Sequence, residues 1–299
     1  TMPEFKEMLA DRVKETEEII KRYLPEEAGF QRTIMKAMNY SMNAGGKRIR
    51  PLLMLETGRL FGFGGARKEL EHFMAAIEMI HTSSLIHDDL PCMDNDEYRR
   101  GKKSTWAAFG EDMGVLAGDA LIVEAFSVAS DAFSGTEHPY RVGQAVRILA
   151  EKTGIYGMIG GQVVDVELTN QPVPADKLDF IYRLKTGALL EASMLIGAVL
   201  AGAEEEDCGK ISRIALNVGL AFQIQDDILD VMGDPELLGK PVGSDERNAK
   251  TTFVTLKGLD EAREEVKRLS EEAISQLHSL NREDTFLEQL IRMLITREK

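Results

Sequence analysis

Residues 73–94 read FMAAIEMIHTSSLIHDDLPCMD. Phe73, Ile77, Ile80 and Ser84 recur at three- and four-residue spacing among apolar neighbours, the period of a helix with one face in a core. The run closes on Asp88 and Asp89, and Pro91 disrupts regular helix just beyond them. Asp94 must then be brought back toward Asp88 by a local bend. A second stretch repeats the setting: Ile214, Val218, Phe222 and Gln225 lead into DDILD, with Asp226, Asp227 and Asp230. Asp226 and Asp230, four apart, share one helical face. Helical spacing recurs nearly everywhere, and Ala, Leu, Glu, Met and Lys dominate over scattered β-branched residues, so the expected fold class is all-α.

Helix breaks are expected at Pro25, Gly45 with Gly46, Gly62 to Gly65, Pro91, His138 with Pro139, Pro172 with Pro174, and Gly233 to Gly243. A helix should start near Pro51. No Ser- or Pro-rich linker interrupts the chain, so residues 1–299 are expected to form a single helical domain, and 43% apolar content allows a substantial core. The apolar stretch 188–203 is short and contains Glu191, which marks a buried helix rather than a membrane span.

A formal net charge of −14 argues against nucleic acid as a partner, because phosphate backbones are bound through an excess of Lys and Arg. Cys92 and Cys208 make no disulfide framework and fit a reducing, cytoplasmic setting. The first fifteen residues carry charges every few positions and no apolar core of a secretory signal.

Carboxylates as dense as these repel one another, by about 4 kcal/mol per pair at ~4 Å and an effective dielectric of ~20. Hard oxygen donors favour magnesium, an ion that keeps ligand positions open for phosphate oxygens. Positive charge to meet such phosphates is concentrated upstream in GGKRIRP, residues 45–51, where glycines permit close backbone approach and Lys47, Arg48 and Arg50 supply cations. Arg48 stands where a Walker loop requires Ser or Thr, so this is no Walker loop. Arg99 and Arg100 follow the first acidic cluster, and Lys185 with Thr186, Lys240 and Lys250 lie downstream.

The ordered series GGKRIRP, EMIHTSSLIHDDLPCMDNDEYRRG, LAGDAL, GGQVVDVE, KTGALLEAS, FQIQDDILDVMGD, LGKPVGSD and KTTF resembles the trans-prenyl diphosphate synthases of the farnesyl and geranylgeranyl type, over residues 45–258. The resemblance implies a large helical bundle of the isoprenoid synthase type with a deep central active-site cavity. It implies condensation of isopentenyl diphosphate with an allylic diphosphate, in a cytoplasmic homodimer. Asp88, Asp94 and Asp226 would hold about three magnesium ions on the allylic diphosphate, with Asp89, Asp227 and Asp230 supporting them. Arg99, Lys185 and Lys240 would clamp that diphosphate. Lys47, Arg50, His81 and Arg100 would bind isopentenyl diphosphate, while Thr186 and Gln223 would face the allylic cation. Gln162 and Asp165 lie in a family element near the active site. Lys103 replaces the family's usual proline, which should loosen the loop toward Trp106.

Product length depends on what lies beneath Asp88. Ser84 and Ser83 precede it by four and five residues, about 6 to 7.5 Å deeper in a helix. In the family an aromatic there limits the product to C15, so two serines favour C20 unless bulky residues around 121–126 restore the floor. Three rival readings fit the residues less well. A di-iron site needs Glu-x-x-His pairs on two helices, whereas Glu69 with His72 and Glu78 with His81 fall within one. A terpene cyclase lacks GGKRIRP, and a non-catalytic helical partner would not need both aspartate clusters intact.

Overall fold

The computed structural model describes residues 1–238 and 250–298, and it is helical nearly throughout. Lys240 and the LGKPVGSD motif, apart from Leu238, lie outside the described residues. The chain divides into two compact units, Thr1–Arg147 with Leu200–Gly202, and Ile148–Val199 with Ala203–Lys299.

The first unit holds α1 (Met2–Lys21), α2 (Arg32–Met42), α3 (Ile49–Leu60), a 3₁₀ turn at Gly62–Gly65, α4 (Arg67–Asp89), a hairpin of β1 (Tyr98–Arg99) and β2 (Lys102–Lys103), α5 (Thr105–Phe109) and α6 (Glu111–Asp131). Helix α4 packs against α3 and α6 and buries Phe73, Met74, Ile77, Met79 and Ile80 completely, as its period requires. Closeness to α6 depends on Gly118, where a Cβ would sit 2.1 Å from His87 Nε2. His87 Nε2 meets the Val115 carbonyl at 3.1 Å, a packing role.

Helix α7 (Pro139–Thr153) leads into the second unit, which continues through α8 (Met158–Glu167), α9 (Ala175–Ile181), a π-helical turn at Tyr182–Gly187, α10 (Ala188–Leu200), α11 (Glu205–Met232), α12 (Pro235–Leu238), α13 (Phe253–Lys257), α14 (Leu259–His278) and α15 (Thr285–Thr296). Helix α11 buries Ile211, Ile214, Val218, Ala221 and Ile224 and packs against α14, α15 and the π turn. At Gly219 a Cβ would lie 3.2 Å from the Cα of Gly187, which explains why nothing larger stands there.

The expected breaks coincide with helix ends at Lys21, Met42, Leu60 and Asp89. The break expected from Gly233 to Gly243 follows the end of α11 at Met232 but contains the short helix α12, and its residues 239–243 lie outside the described residues. Helix α3 begins at Ile49, two residues before Pro51. The hairpin and the π turn are additions to the expected all-α plan. Helix α6 is long and apolar enough to cross a membrane by length and composition. It nonetheless carries Asp119 and Glu124 mid-length and buries Ala117, Leu121, Ala125 and Val128 in the first unit, as a packed helix does.

Candidate active site

Beyond α4 the chain folds back on the helix end. The amide of Asp94 donates to the Asp88 carbonyl at 2.8 Å, that of Asp96 to Asp89 at 3.0 Å, and those of Met93 and Asn95 to Leu90 at 2.9 and 3.0 Å. Asn95 adopts a left-handed φ of 54°, which suits its side chain. This is the bend that Pro91 required. Asp88 is half-buried and Asp94 exposed, whereas Asp89 is only 2% exposed. Both Asp89 oxygens accept from Arg99, at 2.8 Å from Nε and 2.9 Å from Nη2. Such a two-pronged pair fixes the guanidinium plane and makes Asp89 a support for Arg99.

Arg99 is placed by the hairpin, in which Tyr98 pairs with Lys103 and Arg99 with Lys102. Its two turn residues, Arg100 and Gly101, have φ of 51° and 77°, the positive values a tight two-residue hairpin demands. The Lys103 carbonyl accepts from Tyr40 Oη at 2.7 Å, and the Asp96 carbonyl accepts from Ser104 Oγ at 2.7 Å and Trp106 Nε1 at 2.8 Å. Those bonds tie down the segment that the missing proline was expected to loosen.

Arg100 reaches back to the glycine loop, where its Nη1 donates to the Gly45 carbonyl at 3.0 Å. A Cβ on Gly46 would sit 3.2 Å from that same nitrogen, and both glycines hold positive φ. Lys47 is exposed, but Arg48 is not the phosphate-facing cation expected of it. Its left-handed φ of 53° turns the side chain inward, where Nε meets Glu17 Oε1 at 2.5 Å and Nη1 meets Glu78 Oε2 at 3.4 Å. Burial works against the Arg48 charge, yet the two carboxylates outweigh it and raise its pKa. Arg50 Nη1 donates to His81 Nε2 at 3.3 Å, and the buried Nε of Arg50 has no hydrogen-bond partner among the described residues. Desolvation, then Arg50 and Arg100, push the His81 pKa well below its ordinary value, so the ring is a neutral acceptor.

In the second unit, Asp227 is 4% exposed and accepts from Tyr182 Oη, from the Phe253 amide at 3.2 Å and from Gln223 Nε2 at 3.4 Å. Burial raises its pKa to about 6 against those donors. Thr186 Oγ donates to Gln223 Oε1 at 3.1 Å, so Gln223 is held from both ends of its amide. Thr186 and Lys185 both come from the π turn, a distortion frequent at functional sites. Lys185 Nζ meets Asp165 Oδ2 at 2.6 Å, which brings the GGQVVDVE element to the π turn. Asp230 is exposed, and Asp226 is paired with Arg297. Burial draws the Arg297 pKa down to about 10, still far above neutrality. Sequence reasoning named Glu78 only as a rejected di-iron ligand and missed Tyr182 and Arg297 as participants. Only Glu78, an acid inside an apolar helical run, carried a local signal.

Asp88 and Asp94 offer only carboxylate oxygens, on residues that the bend brings side by side, which fits magnesium. Among the described residues no three His, Cys, Asp or Glu side chains already converge into a cage. A donor set of that kind suits an ion that completes its shell with substrate phosphate and water.

An all-helical scaffold with carboxylates closing two apolar helices and cations gathered on a glycine loop defines a class of diphosphate-handling enzyme. A family model described as polyprenyl synthetase matches residues 31–292, and the chain belongs to that family. It is a prenyltransferase of the short-chain prenyl diphosphate synthase type. It is 40% identical to farnesyl diphosphate synthase of Escherichia coli, over 99% of this chain and all of that one. It is 47% identical to putative geranylgeranyl pyrophosphate synthase 8 of Arabidopsis thaliana, over 82% of this chain and 68% of that one. Among solved structures, an FPP/GFPP synthase from Zymomonas mobilis superposes with a TM-score of 0.85 at 32% identity, covering 100% of both chains.

Proposed function

We propose that the enzyme condenses isopentenyl diphosphate with dimethylallyl, geranyl and farnesyl diphosphates, releases diphosphate, and yields the C15 and/or C20 product, with Ser83 and Ser84 favouring C20. The observation that carries this reading is the cation cluster of the first unit. Arg50 bonds a neutral His81, Arg100 bonds the Gly45 carbonyl and bears electrostatically on the same ring, and the Arg50 Nε is left for a partner to come. A diphosphate supplies the compact, multiply charged acceptor that such donors match. Lys47, Arg50, His81 and Arg100 bind isopentenyl diphosphate in this reading, and Arg99, Lys185 and Lys240 bind the allylic partner.

Asp88, Asp94 and Asp226 hold magnesium, about three ions with substrate bound, while Asp89, Asp227 and Asp230 orient or support them. When bound, the metal neutralises charge on the departing diphosphate oxygens. Thr186 spends its hydroxyl hydrogen on Gln223, so its oxygen presents lone pairs toward the allylic cation. Gln223 is kept in register by Asp227, which Tyr182 anchors. The double bond of isopentenyl diphosphate, held close, traps the cation, and the released diphosphate takes up the proton whose loss completes each round.

The working enzyme is a cytoplasmic homodimer in which residues 1–299 act as one catalytic domain. Exposed Leu116 and Val123 on α6 support a self-association surface. The test is to incubate the purified protein with isopentenyl and dimethylallyl diphosphates and magnesium, then size the dephosphorylated products. Absence of metal-dependent elongation would reject the reading.

A further inference from the structure

We infer that Arg297 is the resident counter-ion of Asp226 in the metal-free enzyme, and that magnesium loads the second acidic cluster by displacing it. The inference rests on the reading of Asp226 as a metal ligand. Arg297 follows α15 and sends Nη2 to Asp226 Oδ1. The same nitrogen lies 3.3 Å from the Phe222 carbonyl, Nη1 donates to the Leu294 carbonyl, and the guanidinium sits 3.7 Å over the Phe222 ring. Gln225 Nε2 holds the Arg297 carbonyl at 2.9 Å. The Arg297 side chain is only 10% exposed while that of Asp226 is 42% exposed. A built seat of this kind is not a casual surface pair, which long side chains in water hold weakly.

Its position determines the consequence. Asp226 stands beside Asp227 and shares a helical face with Asp230, so a cation is needed there whether or not metal is present. Arg297 holds Oδ1 of Asp226, and a dication bound to either oxygen of that carboxylate stands within a few ångströms of the guanidinium and repels it. Entry of magnesium therefore frees Arg297 from Asp226 and loosens the turn at the end of α15, and the Arg297 contact raises the magnesium concentration needed for loading.

The test uses the intact protein with magnesium chloride and inorganic diphosphate, followed by calorimetry, with trypsin cleavage at the Arg297–Glu298 bond read by mass spectrometry. Arg297→Ala should bind magnesium about tenfold more tightly, the size of one charge-assisted hydrogen bond, and Arg297→Lys should fall between it and wild type. In wild type, cleavage after Arg297 should accelerate when magnesium and diphosphate are added together. Unchanged or weaker binding in both variants, or cleavage indifferent to metal, overturns the counter-ion assignment while leaving Asp226 as a ligand. If Asp226→Asn binds magnesium as wild type does, the ligand reading itself fails, and the displacement fails with it.

Discussion

The backbone amide of Asp94 donates to the carbonyl oxygen of Asp88 at 2.8 Å, which closes the chain back onto the end of α4 after Pro91 has stopped the helix. Two carboxylate residues six positions apart thereby become neighbours, one half-buried and one exposed. If they act together on magnesium and the allylic diphosphate, Asp88→Ala and Asp94→Ala should each lower turnover by about a hundredfold or more, with helical content unchanged. Diphosphate release at saturating metal is the measurement, and rates near wild type would refute the pairing.

Arg50 and Arg99 occupy different frames, one bonded to His81 and the other clamped to Asp89. Arg50→Ala should raise the KM for isopentenyl diphosphate by roughly tenfold to a hundredfold, corresponding to about 1.5 to 3 kcal/mol, and leave the allylic KM near wild type. Arg99→Ala should do the reverse. Initial-rate kinetics with each substrate varied in turn decides it, and an Arg50→Ala defect confined to the allylic substrate would overturn the division.

Lys47, Arg48 and Arg50 look alike in the sequence but do different work. The helices, their breaks and both acidic clusters were legible because period, proline and glycine are local signals. Which of three adjacent cations turns inward was not, since it depends on a left-handed backbone at Arg48 that few non-glycine residues adopt. Tyr182 and Arg297 were illegible for another reason. Their partners Asp227 and Asp226 lie 45 and 71 residues away, so only tertiary packing defines the contacts. The π turn left no mark in its letters either.

Arg48 and Glu78 are both 4% exposed in their side chains, with Glu17 as the second acid. Arg48→Ala should destabilise the fold by about 3 to 5 kcal/mol, because it strands a buried carboxylate, with Arg50 offsetting part of the loss. Lys47→Ala, at an exposed position, should stay within about 0.5 kcal/mol of wild type. Denaturant midpoints compare the two, and equal effects would contradict the inward assignment.

His81 is held neutral by desolvation and by Arg50 and Arg100. Below about pH 6.5 the unfolded chain takes up a proton on this ring that the folded protein refuses, so His81 lowers stability as pH falls through that value. Above it the contribution vanishes. Thermal unfolding of wild type and His81→Gln from about pH 5 to about pH 7.5 should show the wild type losing ground at the acid end. A constant difference across that range would mean that the ring titrates normally.

Ser83 and Ser84 were expected to lie beneath Asp88, and their surroundings differ. Ser83 is 0% exposed and spends its hydroxyl on the Ile80 carbonyl at 2.6 Å. Ser84 bonds the His81 carbonyl at 2.6 Å, but it is half-buried and, four residues before Asp88, lies on the same helical face. The growing tail should therefore pass Ser84, with Ser83 packed behind it. Ser84→Phe adds a ring where there is room for one and should shift the product from C20 toward C15 at similar turnover. Ser83→Tyr forces a ring into a filled position and should cost about 1 to 3 kcal/mol of stability by overpacking. Product sizing alongside thermal unfolding separates the two. Shortening by Ser83→Tyr alone, without loss of stability, would return the floor to Ser83. An unchanged product in both variants would place the limit on α6, around Leu121 and Phe126, where α4 finds its main packing partner.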